Sequence, residues 1–342
     1  MKKGWFILAL AFWGVIVLIS SPALAQTKIR FSDIGPLDLK TNSYYLMVKI
    51  IGEQLEKYFP GKYKIEYYPS AQLYKSIPAH KAVLSGSLEA CYSYDALIQT
   101  VLGNEVGYPF MCTILPIFDD FDQYWKACME VTPLLSKEYL EPKGAIIKGK
   151  KAGWGGNLFL TKPAYSLSDL KGRKIRIIPG IVYETCAKFM GLNPVAMDVA
   201  EVLAAAKAGT VDGIMSTFGA GGVRLKYYSA AKYVTPCNIP GTSNSGFWFW
   251  NLKFWNSLPR EVREKLDNEI LPYAEKEAYK ADRLIFDTGW DIMTKDGAVQ
   301  LKWSDEAIKE YYVKVGYPTV EKMIPLIGEK WIKIVQKYAA KK

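Results

Sequence analysis

Residues 166–217 read SLSDLKGRKIRIIPGIVYETCAKFMGLNPVAMDVAEVLAAAKAGTVDGIMST, and this stretch decides the fold class. The run KIRII (174–178) is β-rich and stops at Pro179-Gly180. Residues 181–190 form a helical run that Gly191 and Pro194 close. PVAM (194–197) is a second short strand, 201–207 an Ala-rich helix ended by Gly209, and VDGIM (211–215) a third strand. Strand–helix–strand–helix–strand with short Gly/Pro turns predicts α/β layering. Arg176 breaks the pattern, because it sits among Ile175, Ile177 and Ile178 in a strand that reads as buried. A guanidinium keeps its charge at any working pH, and burying it unpaired is very costly. It needs an anionic partner, either a carboxylate of the protein or one of a ligand.

At 342 residues and 50% hydrophobic, the chain can bury a sizeable core and is expected to form two domains. Lys2 and Lys3, an apolar run over 5–19 and then Ala23-x-Ala25 make the pattern of a secretory signal peptide. Residues 1–25 are therefore read as a signal and the mature chain as starting at Gln26. No other long apolar run predicts a membrane span. Removing the signal takes two lysines and no acids, so the net charge of +10 falls to +8. The basic residues alternate with acids on helices, as in EVREKLDNE (261–269). They read as solvated faces and not as a stripe for nucleic acid; a mild bias toward anionic solutes remains.

Five cysteines (Cys91, Cys112, Cys128, Cys186, Cys237) without a CxxC, beside a single histidine, His80, give no Cys/His metal spacing. Most of the cysteines read as small buried hydrophobes. An enzyme needs an acid, base or nucleophile constellation. Neither GxSxG nor HExxH occurs, and nothing marks a nucleophile for His80. The expectation from this absence is a protein that is not an enzyme and holds no cofactor or metal, with a secreted hydrolase as the lesser alternative.

The chain ahead of the central stretch repeats its pattern. KIRFSDI (28–34) and YKIEYY (63–68) read as strands around a helix over 43–58, with apolar residues at Tyr44, Met47, Val48, Ile51 and Leu55. A short helix and the strand of CYSYDAL follow. Residues 121–139 read as helix and GAIIKG (144–149) as strand; the Gly-rich run 151–172 reads as a crossing between domains. FGAGGVR (218–224) lacks the Lys-Ser/Thr of a phosphate loop and reads as a turn near the cleft, leading into a helix. GFWFWN (246–251) is an aromatic strand, and Leu258-Pro259 opens a long helical region to about residue 294, which Pro272 is expected to kink. AVQLKW (298–303) reads as a last strand and Ser304 as an N-cap. The C-terminal helix that follows is expected to be interrupted at Gly316-Tyr317-Pro318 and at Pro325.

SDLKGRKIRIIPGIVYETCAKFMGLNPVAM followed by EVLAAAKAGTVDG resembles the solute-binding proteins of TRAP (tripartite ATP-independent periplasmic) transporters, dicarboxylate-binding type. FPGKYKIEYYPSAQLYKS with LSGSLEACYS, and FWNSLPREVREKL, fit the same family, so the likeness spans nearly the whole mature chain. It implies two α/β domains with a hinge, type II-like, crossed by a long helix, closing on a solute in the periplasm and docking on small and large membrane subunits. The expected domains are 26–153 plus about 243–281, and 154–242 plus about 282–342. A binding protein serving another transporter or a sensor is the alternative.

The resemblance also assigns Arg176 as the contact of the solute's carboxylate, with Pro179 just beyond it. Many members carry a second arginine where this chain has Gly156, Asn157 and Leu158, so Asn157 is left as a hydrogen-bond donor. After VDG many place Gln-Glu-Asn; here Ser216 takes the amide's position, and no acid is present to support a metal. Tyr92, Tyr94, Trp154, Phe218 and Trp248 are the aromatic candidates for the cleft wall. Loss of polar groups beside these rings suggests a less polar monocarboxylate, aromatic or branched. Whether the chain is a monomer or a dimer is left open.

Overall fold

The computed structural model describes residues 26–115, 117–118, 120–236 and 244–339; the signal stretch and Cys237 lie outside them. The strands among these residues are β1 (Thr27–Ser32), β2 (Tyr63–Tyr68), β3 (Ala90–Tyr94), β4 (Ala145–Gly153), β5 (Gly156–Leu160), β6 (Lys174–Ile177), β7 (Asn193–Ala196), β8 (Gly213–Thr217), β9 (Tyr233–Val234), β10 (Asn244–Asn251) and β11 (Val299–Gln300). They form two sheets, ordered β2-β1-β3-β10-β4 and β11-β9-β5-β8-β6-β7. Each sheet with its helices makes one α/β lobe. In the first, β1 runs parallel to β2 and β3, and β10 lies antiparallel between β3 and β4. In the second, β6 runs parallel to β7 and β8, and β5 is antiparallel to β8. The chain crosses between lobes from Gly153 to Gly156, again between β9 and β10, and a third time between β10 and β11.

Every residue of β3, β5 and β8 is buried, as expected of strands covered by helices on both faces. Packing there is tight enough to fix residue type. A Cβ on Gly213, the glycine of VDGIM, would lie 2.6 Å from the Phe159 carbonyl oxygen and 2.9 Å from Ile175 Cδ1. Only glycine lets β8 sit between β5 and β6.

Three departures from the sequence-based expectations have local causes. The GAIIKG strand runs on to Gly153, because the register slips by one between Phe247 and Trp248 and leaves Gly149, at φ +80°, as the extra residue of a bulge. Within the supposed crossing, Gly156–Leu160 is a full strand. Residues 218–224 form a π-helix (Phe218–Arg224) and not a loop. Its glycines are places of close approach: a Cβ on Gly221 would meet Ser216 Cβ at 2.6 Å, and one on Gly222 would meet Met293 Sδ at 2.5 Å.

The helical region after Pro259 runs as Arg260–Lys265, a π-turn Leu266–Ile270 and the long helix Leu271–Lys295. The wide turn stands immediately before Pro272, whose missing N–H it accommodates. Further on, Pro325 stays inside a helix (Tyr317–Ile327), and it is Gly328, at φ +92°, that ends it. The long helix buries Leu271, Ala274, Ala278, Asp282, Ile285, Gly289 and Met293, a stripe at 3.6-residue spacing. The helix packs on both lobes: beside the stripe, Phe286 contacts Phe121 on one side and Phe218 on the other, each with ring centroids 6.1 Å apart. No helix among the described residues is long and apolar enough to cross a membrane. Cys91, Cys112, Cys128 and Cys186 are buried free thiols.

His80 is fully buried beneath β3. Its Nδ1 faces the Ser76 carbonyl at 2.7 Å, so Nδ1 carries the proton, and Nε2 accepts from Ser93 Oγ at 2.8 Å. Burial pushes the imidazole down to about 4. The unfolded chain therefore takes up a proton below pH ~6.5 that the folded chain refuses, so stability present above that pH is lost as pH falls toward 4. Asp95, which burial pushes up to about 7, works in the opposite sense, so the test is differential. Relative to His80→Gln, the parent protein should lose about 3 kcal/mol between pH 7 and pH 4 in urea unfolding. A pH-independent difference would rule out a buried neutral imidazole.

Candidate functional site

In open α/β sheets ligands bind beyond the carboxyl ends of the strands. Here the ends of β1, β3 and β4 face those of β6 and β8 across a cavity with about 60 Å³ open to water centres, where roughly 10–15 Å³ holds one water. Contacts between the lobes close over it. Lys75 pairs with Glu201 at 3.2 Å, and the Ile181 N–H donates to Gln99 Oε1 at 3.1 Å.

Strand register builds the first wall. Tyr94 of β3 pairs with Gly246 of β10, which pairs with Lys151 of β4. All three line the cavity. Tyr44, from the helix Ser43–Tyr58, lies against this row, its hydroxyl donating to the Ser93 carbonyl at 2.6 Å. A Cβ on Gly246 would overlap Tyr44 Oη and approach Lys151 Cγ at 2.8 Å, so the missing side chain makes room for the tyrosine.

The second wall carries Arg176, 1% exposed. Its Nε and Nη2 donate to the Met197 carbonyl at 3.2 and 2.9 Å, and Nη1 donates to the Met215 carbonyl at 3.3 Å. No ion pair among the described residues includes it. Of the five N–H donors on a guanidinium, three are thus engaged with neutral carbonyls, and one hydrogen remains on each Nη. Two such donors can hold a carboxylate bidentately. Burial raises the phenols of Tyr94 and Tyr227, against the opposing pull of Arg176. Both therefore stand near it as neutral hydroxyls.

Three further charged groups enter the cavity. Asp282 pairs with Lys151 at 3.2 Å and accepts from Ser43 Oγ at 2.7 Å. Burial pushes the Asp282 carboxyl up and the Lys151 ammonium down, while their attraction opposes both shifts. Asp282 Oδ2 is buried without a donor and could take a hydroxyl hydrogen from a solute. Arg224, at the end of the π-helix, holds its guanidinium 5.3 Å from the Tyr44 ring centroid. Around these groups Trp154, Phe121, Phe218, Phe286, Ile178 and Ile285 form an apolar enclosure.

Of the residues singled out from the sequence, Arg176, Tyr94, Trp154, Ser216 and Phe218 line the cavity, and Tyr92, Trp248, Asn157 and Pro179 do not. Tyr92 and Trp248 are a register pair one step deeper than Tyr94 and Gly246. The Tyr44 ring packs edge-on against both, with centroids 5.9 and 5.5 Å away. Asn157 Nδ2 donates to the Thr235 carbonyl at 2.7 Å, and Ile178 is the wall residue beside Pro179. Tyr44, Lys151, Asp282, Arg224 and Tyr227 went unrecognised in the sequence. For Asp282 a signal exists, since it is the one charged residue in the stripe of the long helix. Arg224 closes a segment otherwise made of apolar residues and glycine. Among the described residues no group of His, Cys, Asp and Glu is arranged to hold a metal ion.

Residues 39–313 match the family DctP, described as bacterial extracellular solute-binding protein, family 7. An uncharacterized protein of Haemophilus influenzae is 26% identical over 274 residues, 76% of either chain. Among solved structures, a TRAP periplasmic solute-binding protein from Shewanella oneidensis with bound succinate superposes with a TM-score of 0.80 at 19% identity, covering 92% of this chain and 99% of its own. The sugar-acid-binding protein of Advenella mimigardefordensis, in complex with galactonate, gives 0.80 at 20% identity, with 92% and 99% covered.

The contact of Gly246 with Tyr44 gives a direct test. Gly246→Ala should displace Tyr44 and lower stability by about 1–3 kcal/mol, the range for overpacking a tight site, as read by urea unfolding. Unchanged stability would mean that Tyr44 moves aside freely and is not a fixed part of the wall.

Proposed function

The chain belongs to the bacterial extracellular solute-binding proteins of family 7, and we propose that its solute is an organic acid whose carboxylate pairs with Arg176. The protein serves a TRAP-type transporter. It resides in the periplasm once residues 1–25 are removed, closes its lobes on the acid, and presents the closed form to the small and large membrane subunits. The observation that carries this assignment is the buried Arg176 guanidinium, capped by neutral carbonyls and without a carboxylate partner among the described residues. A permanent charge in that setting is stable only with a counter-ion at hand. The succinate and galactonate carried by the two structural neighbours are organic acids, which agrees with it.

The mechanism follows from the walls. The open lobes admit the acid, and Arg176 grips its carboxylate while Tyr94 and Tyr227 stand beside it. Trp154, Phe121 and Phe218 cover the body of the solute. Contacts that exist only when the lobes are together shift the population toward the closed form. The lobes move about the crossing near 153–156 and the two that flank β10. No covalent bond is made or broken.

A thermal-shift screen of the mature chain against organic acids, amino acids and sugars tests the assignment. An acid present at 100 times its Kd should add about 2.7 kcal/mol of stability. Arg176→Ala should weaken that acid by about 100-fold or more, the loss expected when one partner of a buried charge pair is removed. Arg176→Lys should also weaken it, because an ammonium lacks the planar fork. Hits confined to uncharged sugars, or an acid bound equally well by both variants, would reject the carboxylate assignment.

A further inference from the structure

Arg224 is the second guanidinium in the cavity wall, and it is supplied by the π-helix Phe218–Arg224. Its Nε and Nη1 are buried with no hydrogen-bond acceptor. It belongs to none of the ion pairs among the described residues. Its neighbour across the cleft is the face of Tyr44, 5.3 Å from ring centroid to Cζ, which attracts a cation but accepts no directed hydrogen bond in the guanidinium plane. The nearby carboxylate of Asp33 is turned to other donors: the Gly35 N–H at 3.0 Å, Asn42 Nδ2 at 2.8 Å and the Tyr67 hydroxyl at 2.6 Å.

A second orphan stands beside it. Tyr227 is 2% exposed, lines the same cavity, and its hydroxyl has no partner. The chain turns between the two residues at Lys226, whose φ of +50° is a left-handed conformation unusual for a side-chain-bearing residue. That turn brings Arg224 and Tyr227 to one wall. Buried polar groups in native proteins find partners, and each orphan asks for one. The charge count points the same way. Lys151 is neutralised by Asp282, so Arg176 and Arg224 remain as two guanidiniums without a paired carboxylate. One carboxylate on Arg176 leaves Arg224 with only the longer-range attraction of the Asp33 carboxylate and no ion-pair partner among the described residues.

We propose that Arg224 and Tyr227 form a second anion-binding station, so that the solute carries two anionic groups, one for each guanidinium, separated by an apolar middle that meets the aromatic walls. This rests on the assignment of an organic acid to Arg176. It replaces the monocarboxylate expected from the sequence, where the missing arginine at Gly156–Leu158 stood for a missing second cation. The cation is present on a different element.

The test is calorimetric titration of the mature protein with matched pairs of acids that differ in the second carboxylate: succinate against butyrate, glutarate against valerate, and phthalate against benzoate. In at least one pair the diacid should bind at least tenfold tighter than its monoacid. That preference should vanish in Arg224→Met and return in part in Arg224→Lys, which keeps the charge and guards against a folding defect. Tyr227→Phe should weaken the diacid more than the monoacid. Equal binding within every pair, or a diacid preference that survives Arg224→Met, overturns the second station. Arg176→Met separates the two assignments. Acids that depend on Arg176 but not on Arg224 remove only the station, whereas a parent protein that binds no member of any pair removes both.

Discussion

A guanidinium cannot escape burial by giving up its proton, and the architecture around the cavity answers that constraint at Arg176. The residue belongs to a strand packed between β7 and β8, which buries its side chain everywhere except toward the cavity. Carbonyls of Met197 and Met215 take three of its donors without neutralising it. Those carbonyls come from the chain just beyond β7 and from β8, so the geometry that holds the charge is the geometry of the sheet itself. Removing any of these strands would release the side chain, which ties the binding group to the fold more closely than a loop residue could be tied.

The opposite lobe contributes shape and neutral polarity. Tyr44, Tyr94 and Gly246 are set by register, and the space Tyr44 occupies exists because one residue of β10 lacks a side chain. The Lys151–Asp282 pair lies between the lobes on the stripe of the long helix, where a buried charge needs its partner within reach. The rings of Trp154, Phe121 and Phe218 line the rest, so bulk water is kept from these groups. Every electrostatic contact inside then acts in a medium of lower effective dielectric.

Much of this was legible in the sequence, for reasons that differ from place to place. Alternating runs and Gly/Pro turns located the central strands and helices, because those signals are local. Arg176 stood out because its charge contradicts its apolar neighbours. Trp248 and Tyr92 looked equally suited to a wall, but depth along a strand is decided by pairing partners, and a single strand carries no record of those. The strand Gly156–Leu160 was hidden in glycine, which weakens the β signal even where pairing with β8 overrides it. Arg224 was missed for a related reason. A π-turn has no sequence periodicity, so nothing in FGAGGVR announced that its last residue would reach across to the ring of Tyr44. Asp282 is readable, because its charge interrupts the apolar stripe of the long helix.

The carbonyl caps on Arg176 have one more consequence. They satisfy hydrogens but supply no counter-charge, so the cleft wall at Arg176 keeps a fixed positive charge that no ordinary change of pH removes. Any small anion in the surrounding medium is drawn to it, chloride and sulfate included. Charge by itself therefore cannot tell the solute from the salt around it. That discrimination falls to the aromatic enclosure, which rewards an organic body and offers nothing to a hydrated inorganic ion.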